Sequence, residues 1–434
     1  MEGESSAPRV TIRPRSRMPV AMGVLLILLQ LVSPHRAWVI LLCGVGGMTL
    51  AAYLWAHSLA SSVRVTRSLR YVWAQVGDLL EERFALRNRG KWPVLWAEVD
   101  DESNLPDYPS GRVVAAGGRQ TTPWRVSTVC KRRGLFTLGP WMVRMQDPFG
   151  LFTVTQRYRQ THSILVVPPV MELPSVVLPR GVATGRAVAR QPAADLTLNV
   201  SAIRPYAPPD PLRRIHWPSS AHHDTLMSKT FDAEVSGDLW IVLDLDAGVQ
   251  AGEGEESTEE YGVILAASLA DRMLRQNRAV GLVAYGAREA YLVPGRGEGQ
   301  LWRLLRALAL VQAGEQRPLA TVLTEMRAVL GRRTTVAVIT PSGDPAWVET
   351  LSPLLRRGVA PTAILLDPAS FSGMGDLSLV RSMLARLGIP AQVIYQGHAF
   401  RLSPRTRRRG GTWDFRTTVT GRVIVVRRPR EAMP

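Results

Sequence analysis

Hydrophobic and polar positions follow three different patterns along the chain. Two uncharged runs come first, at Met18–Val32 and Ala37–Ala56, and the second has about the length that crosses a bilayer as a helix. The four residues between them, Ser33–Arg36, leave room only for a tight turn. We therefore predict a transmembrane helical hairpin over residues 18–57.

Arginines surround this hairpin unequally. Residues 1–17 form a basic leader, and further arginines follow the second run, whereas the turn contains only Arg36. A cleaved signal peptide has a similar leader, but no small-x-small cleavage site precedes the turn and a second apolar run follows at once. The positive-inside rule then places both ends of the hairpin, and everything after residue 57, in the cytoplasm.

The second pattern covers residues 62–175. Short runs of β-branched and aromatic residues are broken there by Gly, Pro and Asn, as in KRRGLFTLGP and DPFGLF. Closely spaced strands with turn signals are typical of a sandwich or barrel. We predict a β-rich, sandwich-like domain, followed by a connector at residues 176–236.

The third pattern covers residues 237–397. Buried strands such as LWIVLDLD and TTVAVIT alternate with amphipathic helices such as TEEYGVILAASLADRMLRQ. This alternation predicts an α/β domain with a mainly parallel sheet and helices on both faces.

Charge is concentrated in arginine. The formal net charge is +17, and Lys91, Lys131 and Lys229 are the only lysines among 53 basic residues. Residues 398–434 form an Arg-rich tail, for which we expect a solvated, partly disordered segment near anionic membrane lipid. Because the arginines are spread through both domains without an aromatic stacking platform, we predict no nucleic-acid binding.

Acidic residues follow the first strand of the α/β domain. Asp244 and Asp246 lie at its carboxyl end, where open α/β sheets bind ligands, and carboxylates two residues apart could coordinate Mg²⁺. The pattern resembles a von Willebrand factor A domain. That resemblance implies a metal site in which Thr321 supplies a hydroxyl, but Asp246 and Gly248 stand where the family has serines, and Pro341 where it often has Asp. We expect the fold to be retained without the ion.

A polar stretch in the connector carries a narrower resemblance. RPYAPPDPLRRIHWPSSAHHDTLMSKTFDAE, residues 204–234, resembles the signature of the domain of unknown function 58 family. Pro209, Pro218 and His222 depart from the family pattern. The matching residues are Arg204, Tyr206, Asp210, Arg213, Ile215, Trp217, Ser220, Ala221, Leu226, Lys229 and Glu234.

The same stretch also contains the residue types of a hydrolase. His216, His222 or His223 could act as a general base oriented by Asp210, with Ser219 or Ser220 as the nucleophile. No Gly-x-Ser-x-Gly or His-Glu-x-x-His spacing supports this. We favour a rigid connector, with a partner-docking surface as the alternative, and predict a protein that is not an enzyme.

The resemblance implies a role that the residues do not specify. Members of the family are expected to be bacterial membrane proteins that work beside MoxR-type AAA+ ATPases, often with a transglutaminase-like membrane protein, in complex assembly or cell-envelope homeostasis. A phosphate-binding loop of the G-x-x-x-x-G-K-S/T type does not occur in the sequence, so we expect no ATP hydrolysis by this chain. A scaffold is the leading hypothesis, and a Mg²⁺-dependent adhesion module is the alternative.

Overall fold

A computed structural model describes residues 8–69, 72–173, 200–206, 215–231, 237–314, 317–332, 334–398, 401–402, 414–417 and 423–427. Its N-terminal part combines two helices with a set of short strands. Their bounds are β1 (Arg9–Pro14), α1 (Met18–Val32), α2 (Arg36–Ser62), β2 (Val63–Leu69), β3 (Trp73–Gln75), β4 (Leu79–Asn88), β5 (Val94–Asp101), β6 (Gly111–Ala116), β7 (Thr121–Val129), β8 (Gly134–Leu138), β9 (Trp141–Gln146), β10 (Phe152–Tyr158), β11 (His162–Val167) and β12 (Met171–Glu172).

The two apolar runs form helices that pack against each other. Within the described residues, α2 is the helix that is long and apolar enough to cross a membrane, and α1 is a shorter apolar helix of 15 residues. A membrane-spanning segment is therefore compatible with the structure, whereas the two-span hairpin stays a prediction. The helix α2 continues five residues beyond the predicted end at residue 57, to Ser62.

The β-rich region is a two-layer sandwich. The two sheets that share one core have the orders β1-β10-β9-β5-β6 and β2-β4-β7. A further sheet of the same region has the order β3-β11-β8. The strand β4 alternates exposed and buried side chains, which places Phe84 and Leu86 in the core. The last turns of α2 close this core with Ala56, Leu59 and Ala60, so the helix is built into the domain.

Part of the basic leader belongs to the sandwich. Residues Arg9–Pro14 form β1, which pairs antiparallel with β10. Val10 and Ile12 pack against the core, while Arg9, Thr11 and Arg13 are exposed on the other face. Here the structure corrects the prediction, because the strand alternation of RVTIRP was masked by its arginines.

The described part of the signature segment contains a small hairpin. The strands β13 (Val200–Pro205) and β14 (Met227–Phe231) pair antiparallel, and a short helix, α3 (Trp217–His223), precedes β14.

The α/β region contains one six-stranded sheet with helices on both faces, as predicted. Its elements are β15 (Leu239–Asp244), α4 (Thr258–Arg275), β16 (Val280–Tyr285), β17 (Ala290–Gly295), α5 (Glu298–Leu310), α6 (Leu319–Met326), β18 (Thr335–Thr340), α7 (Ala346–Arg356), β19 (Ala360–Leu366), α8 (Ser378–Arg386) and β20 (Ala391–Ile394). The strand order is β17-β16-β15-β18-β19-β20, and every pairing is parallel except that of β16 with β17.

Alternate side chains of β15 enter different cores. Ile241 and Leu243 pack with α4 and α5, whereas Trp240 and Val242 pack with α6, α7 and α8. A strand buried on both faces needs the continuous hydrophobic run that LWIVLD provides. The edge strand β17 was not predicted, because Tyr291 and Val293 are exposed and a hairpin joins it to β16.

The Arg-rich tail contains short strands among its described residues. The strand β21 (Arg401–Leu402) pairs with β12, and β22 (Asp414–Thr417) pairs with β23 (Val423–Arg427). Most of the tail lies outside the described residues, so the expectation of a solvated, partly disordered tail stays a prediction.

Candidate functional site

The carboxyl end of β15 lies at the point where the strand order of the sheet reverses. From β15 the chain proceeds outward to β16 and β17, then returns to the other side of β15 as β18. Open α/β sheets bind ligands at such switch points. The side chains that follow β15 and β18 therefore define the candidate site.

Asp244 is the buried acid of this site. Only 6% of the residue is exposed; its Oδ2 accepts a 2.6 Å hydrogen bond from the Thr340 hydroxyl and its Oδ1 accepts a 3.2 Å bond from the amide of Asp246. Burial in a poorly solvated environment raises the pKa of Asp244 to about 6, although both hydrogen bonds favour the carboxylate.

Asp246 shapes the loop that follows the strand. Its Oδ1 accepts from the amide of Gly248 at 2.8 Å, and its backbone forms a parallel bridge with Gly314. Gln250 donates to the carbonyl oxygen of Asp244 at 3.0 Å. These bonds hold the two carboxylates at the switch point in a fixed loop.

Thr340 and Ser342, which sequence reasoning missed, complete the site from β18. The Thr340 oxygen also accepts from the Ser342 amide at 2.9 Å, and both residues are buried. Hydroxyl residues directly after the buried strand TVAVIT were the available signal. Asp344, three residues after Pro341, is exposed, and its carboxylate accepts a hydrogen bond from the amide of Ala346 at the start of α7.

Thr321 occupies a different kind of position from the one predicted. It lies on the exposed side of α6, whereas the loop hydrogen-bonded to the Asp246 region is the one carrying Gly314, whose carbonyl accepts from Ala247 at 3.0 Å. The structure thus brings Asp244 and Asp246 together with Thr340 and Ser342.

The donor set bears on the Mg²⁺ hypothesis. Carboxylates and hydroxyl groups are the hard oxygen donors that Mg²⁺ binds, usually with several waters retained. Asp244, Asp246, Thr340 and Ser342 would hold the ion if it binds. Within the described part of the chain, no three His, Cys, Asp or Glu side chains cluster in a way that could hold a metal, so any such site would rely on hydroxyls and water.

The signature segment is held together mainly by its backbone. The amide of Tyr206 donates to the carbonyl of Leu226 at 2.7 Å, and that of His216 donates to Met227 at 2.8 Å. Ile215 is 5% exposed and bridges Ser228 of β14. Arg204 and Lys229 lie on the paired strands β13 and β14, while Asp210, Arg213 and Glu234 fall outside the described residues.

The histidines of the signature have structural positions. His216 precedes α3, and its Nδ1 accepts from the Ser219 amide at 3.2 Å while lying 2.7 Å from the Ser219 hydroxyl. This is the arrangement of a helix N-cap. His222 is exposed. The side chain of Trp217 is also largely in solvent, with 66% of the residue exposed.

A second polar site, missed from the sequence, joins the β-rich and α/β regions. Arg133, from KRRGLF, donates to the Glu259 carboxylate at 2.6 Å and to the carbonyls of Leu308 and Val311 at 3.0 and 2.9 Å. It also forms an ion pair with Glu260. Its side chain is 4% exposed, so the motif serves as a buried clamp.

Apolar contacts continue this interface. The rings of Trp73 and Trp302 meet edge to face with centroids 5.1 Å apart. Val167 and Val170 are part of the same hydrophobic core as α4, and the amide of Met171 donates to the hydroxyl of Ser268 at 2.9 Å. The two regions are thus packed together through a shared core.

Comparison with known proteins points to one family. The family described as "Protein of unknown function DUF58" matches residues 202–369, which include the signature hairpin and the sheet through β19. An uncharacterized protein of Bacillus subtilis strain 168, YeaD, is 23% identical over 273 residues. That match covers 61% of this chain and 66% of YeaD, which is less than two thirds of either.

Similarity to solved structures is limited to parts of the chain. Proximal thread matrix protein 1 from the mussel byssus is 15% identical and covers 37% of this chain and 44% of its own, with a TM-score of 0.28. The CARDB domain of the PF1109 protein from Pyrococcus furiosus is 13% identical and covers 25% of this chain and 90% of its own, with a TM-score of 0.18.

Proposed function

We propose that this protein is a membrane-anchored, non-enzymatic scaffold whose α/β region, of the von Willebrand factor A type, works with a MoxR-type AAA+ ATPase in assembling protein complexes or maintaining the cell envelope. The observation that carries the proposal is the DUF58 match over residues 202–369. The sheet order supports the A-type assignment, with its acidic switch point and antiparallel edge strand β17.

The clamp at Arg133 supports a scaffold in a second way. It connects the α/β region to a sandwich whose core includes the last turns of α2. A partner bound at the α/β region would therefore be held in a fixed geometry relative to that apolar helix. Such a fixed geometry is useful for an adaptor, because less conformational freedom is lost when the partner binds.

Trp217 is the docking residue we favour on the signature segment. Exposed tryptophans are enriched among the residues that dominate binding energies, and this one projects from a short helix whose cap and β-pairing fix its backbone. The hydrogen bonds of His216 and Ser219 are used to cap α3, which favours docking over a hydrolase at the same segment.

Affinity purification of the detergent-solubilised protein tests the scaffold, with and without ATP. We expect a MoxR-type AAA+ ATPase to be recovered by the wild-type protein and lost with Trp217→Ala. Tyr395→Ala is the matched control, since Tyr395 is a 52% exposed aromatic residue of the α/β region. Absence of any AAA+ ATPase under both nucleotide conditions would overturn the proposal.

The Mg²⁺-dependent adhesion module is the second candidate, favoured by the oxygen donors at the switch point. It predicts partner binding that requires Mg²⁺ and is lost in Asp244→Asn. The scaffold proposal predicts partner binding that survives EDTA. The same purification, repeated in EDTA, separates the two candidates.

The orientation is a further part of the proposal. We place the soluble regions in the cytoplasm, and a cysteine introduced at Glu289, whose side chain is 61% exposed, reports on it in a Cys43→Ala background. A membrane-impermeant maleimide should label this cysteine only after the cells are opened. Labelling in intact cells would place the α/β region outside.

A further inference from the structure

An arginine-lined cavity lies on the outer face of the sandwich, away from the candidate site. It measures about 440 Å³, within the range of small-ligand sites. Arg9 and Arg13 of β1, Arg157 of β10 and Arg159 just beyond it contribute to the wall. Glu102 is the one acidic residue in the lining, so the lining has an excess of three positive charges.

The strand register brings two of these charges close together. Arg9 is directly opposite Arg157, and Thr11 is directly opposite Thr155. Side chains at directly opposed positions share a face of the sheet, and like charges placed in this way destabilise it. In the part of the chain that the structure describes, none of the four arginines forms an ion pair with a carboxylate.

Arg144 provides an internal comparison on the same sheet. It lies on β9, the strand next to β10, with carboxylate oxygens of Glu98 and Asp100 at 3.7 and 3.8 Å. The sheet therefore neutralises an outward-facing arginine where acidic neighbours are present. At the cavity, no carboxylate of the described residues forms an ion pair with the four arginines, and such a departure from a local rule is characteristic of functional sites.

The chemistry of the lining selects an anion with several oxygens. Guanidinium groups present forked N–H donors that match the geometry of phosphate, and the hydroxyl of Thr155, which also lines the cavity, adds a further donor. We propose that this cavity binds a phosphate group, carried either by a soluble molecule or by a lipid headgroup. The site is independent of the proposed scaffold function.

Calorimetric titration of the full chain with inorganic pyrophosphate tests the site. The protein is held in a nonionic detergent at low ionic strength. We expect saturable binding that is about tenfold weaker or worse in Arg9→Gln and Arg157→Gln, since each variant loses a charge-assisted contact. Arg144→Gln, the matched control, should bind as the wild type does. Glu102→Gln should bind more tightly, because it removes the one opposing charge.

The melting temperature of each variant without ligand shows whether a loss of binding comes from a loss of stability. Because Arg157→Gln removes a like-charge contact, its melting temperature should be unchanged or higher. A lower melting temperature would assign the arginines a structural role and overturn the proposal. So would the absence of saturable pyrophosphate binding, or an equal loss of binding in Arg144→Gln.

The source of the phosphate is distinguished in nanodiscs. Pyrophosphate is titrated into wild-type protein in zwitterionic discs and in discs containing phosphatidylglycerol. Weaker pyrophosphate binding in the phosphatidylglycerol discs supports the proposal and indicates that a lipid headgroup occupies the site. Equal pyrophosphate binding in the two kinds of disc supports the proposal and indicates that the ligand is a soluble phosphate compound.

Discussion

The guanidinium of Arg133 donates a 2.6 Å hydrogen bond to the carboxylate of Glu259, across the boundary between the sandwich and the α/β region. The same guanidinium bonds to the carbonyls of Leu308 and Val311. One buried side chain thus contacts the start of α4 and the end of α5. This relationship makes the RGLF segment, and not only the signature, a joint of the molecule.

Replacing Arg133 with Met should uncouple the two regions. The substitution leaves partly buried carboxylates and carbonyl oxygens without their donor. Removal of one partner of a fully buried pair costs about 3–5 kcal/mol, so the loss expected here is no larger than that. By differential scanning calorimetry, we expect the wild type to unfold in one transition, and the variant to melt at a lower temperature with two separate transitions. Arg132→Met is the control, because Arg132 is an exposed neighbour. Equal effects of the two substitutions would contradict the clamp.

The sequence predicted the α/β sheet well because its strands are buried on both faces. A continuous apolar run such as LWIVLD has few structural alternatives when helical periodicities flank it. The edge strand β17 lacks that signal, since Tyr291 and Val293 are exposed. In β1 the alternation was present, with Val10 and Ile12 turned to the core, but the arginines between them suggested only a charged leader.

The polar sites were harder to predict because their partners are distant in sequence. Arg133 and Glu259 are 126 positions apart, and Thr340 is 96 positions from Asp244. Local spacing cannot encode such a contact. The general location of the candidate site was predictable, since the carboxyl end of the first α/β strand is fixed by topology. The residues that complete it depend on which strand returns beside β15.

Asp244 should make stability depend on pH. Burial raises its pKa from 3.8 to about 6, so the folded state binds this proton more tightly than the unfolded state does. Its contribution is fully present below the unfolded pKa and is lost as the pH rises through about 6, a change of about 2–3 kcal/mol. Asp244→Asn should reduce the pH dependence of the unfolding free energy, measured by urea unfolding in EDTA between pH 4 and 7, roughly the interval of this titration.

Two further measurements bear on the same carboxylate. Exposed Asp344 offers the control, since Asp344→Asn should leave the pH dependence intact. Saturating Mg²⁺ should flatten the wild-type profile only if the ion binds, because a cation favours the charged carboxylate. An unchanged slope in Asp244→Asn would show that another group produces the dependence.

A buried ionic network in the sandwich gives the next prediction. Arg67 contacts Glu82 at 2.6 Å and Asp101 at 3.2 Å, with all three side chains at most 4% exposed, and the Tyr108 hydroxyl donates to Glu82 at 3.1 Å. Arg67→Met should cost about 3–5 kcal/mol in unfolding free energy because it leaves two buried acids unpaired. Exposed Arg83, on the neighbouring strand β4, is the control as Arg83→Met.

The loss in Arg67→Met should also depend on pH. Burial already raises the pKa of Glu82, and the nearby guanidinium opposes that rise. Without Arg67 the pKa rises further, so protonation relieves part of the defect in acid. The destabilisation should be smaller at about pH 5 than at about pH 8, on either side of the range in which a buried Glu titrates. A loss that is the same at both values would contradict this account.

Substitution of Ser220 tests whether the signature segment has a structural role or a chemical one. Its hydroxyl donates to the His216 carbonyl at 3.0 Å and accepts from the Met227 amide at 2.9 Å, so it ties α3 to β14. Ser220→Ala should therefore increase hydrogen exchange across residues 215–231, with a local loss of about 1–3 kcal/mol because the Met227 amide is left without its acceptor.

Trp217→Ala supplies the contrast, because the exposed ring can be removed without breaking those bonds. If the segment is read by a partner, this variant should lose the AAA+ ATPase in the purification and keep wild-type exchange rates. If the segment only joins parts of the fold, Ser220→Ala alone should affect the protein. A hydrolase would instead require Ser219 and His216. In that case Ser219→Ala would abolish hydrolytic activity while keeping wild-type exchange rates, and Trp217→Ala would keep the activity.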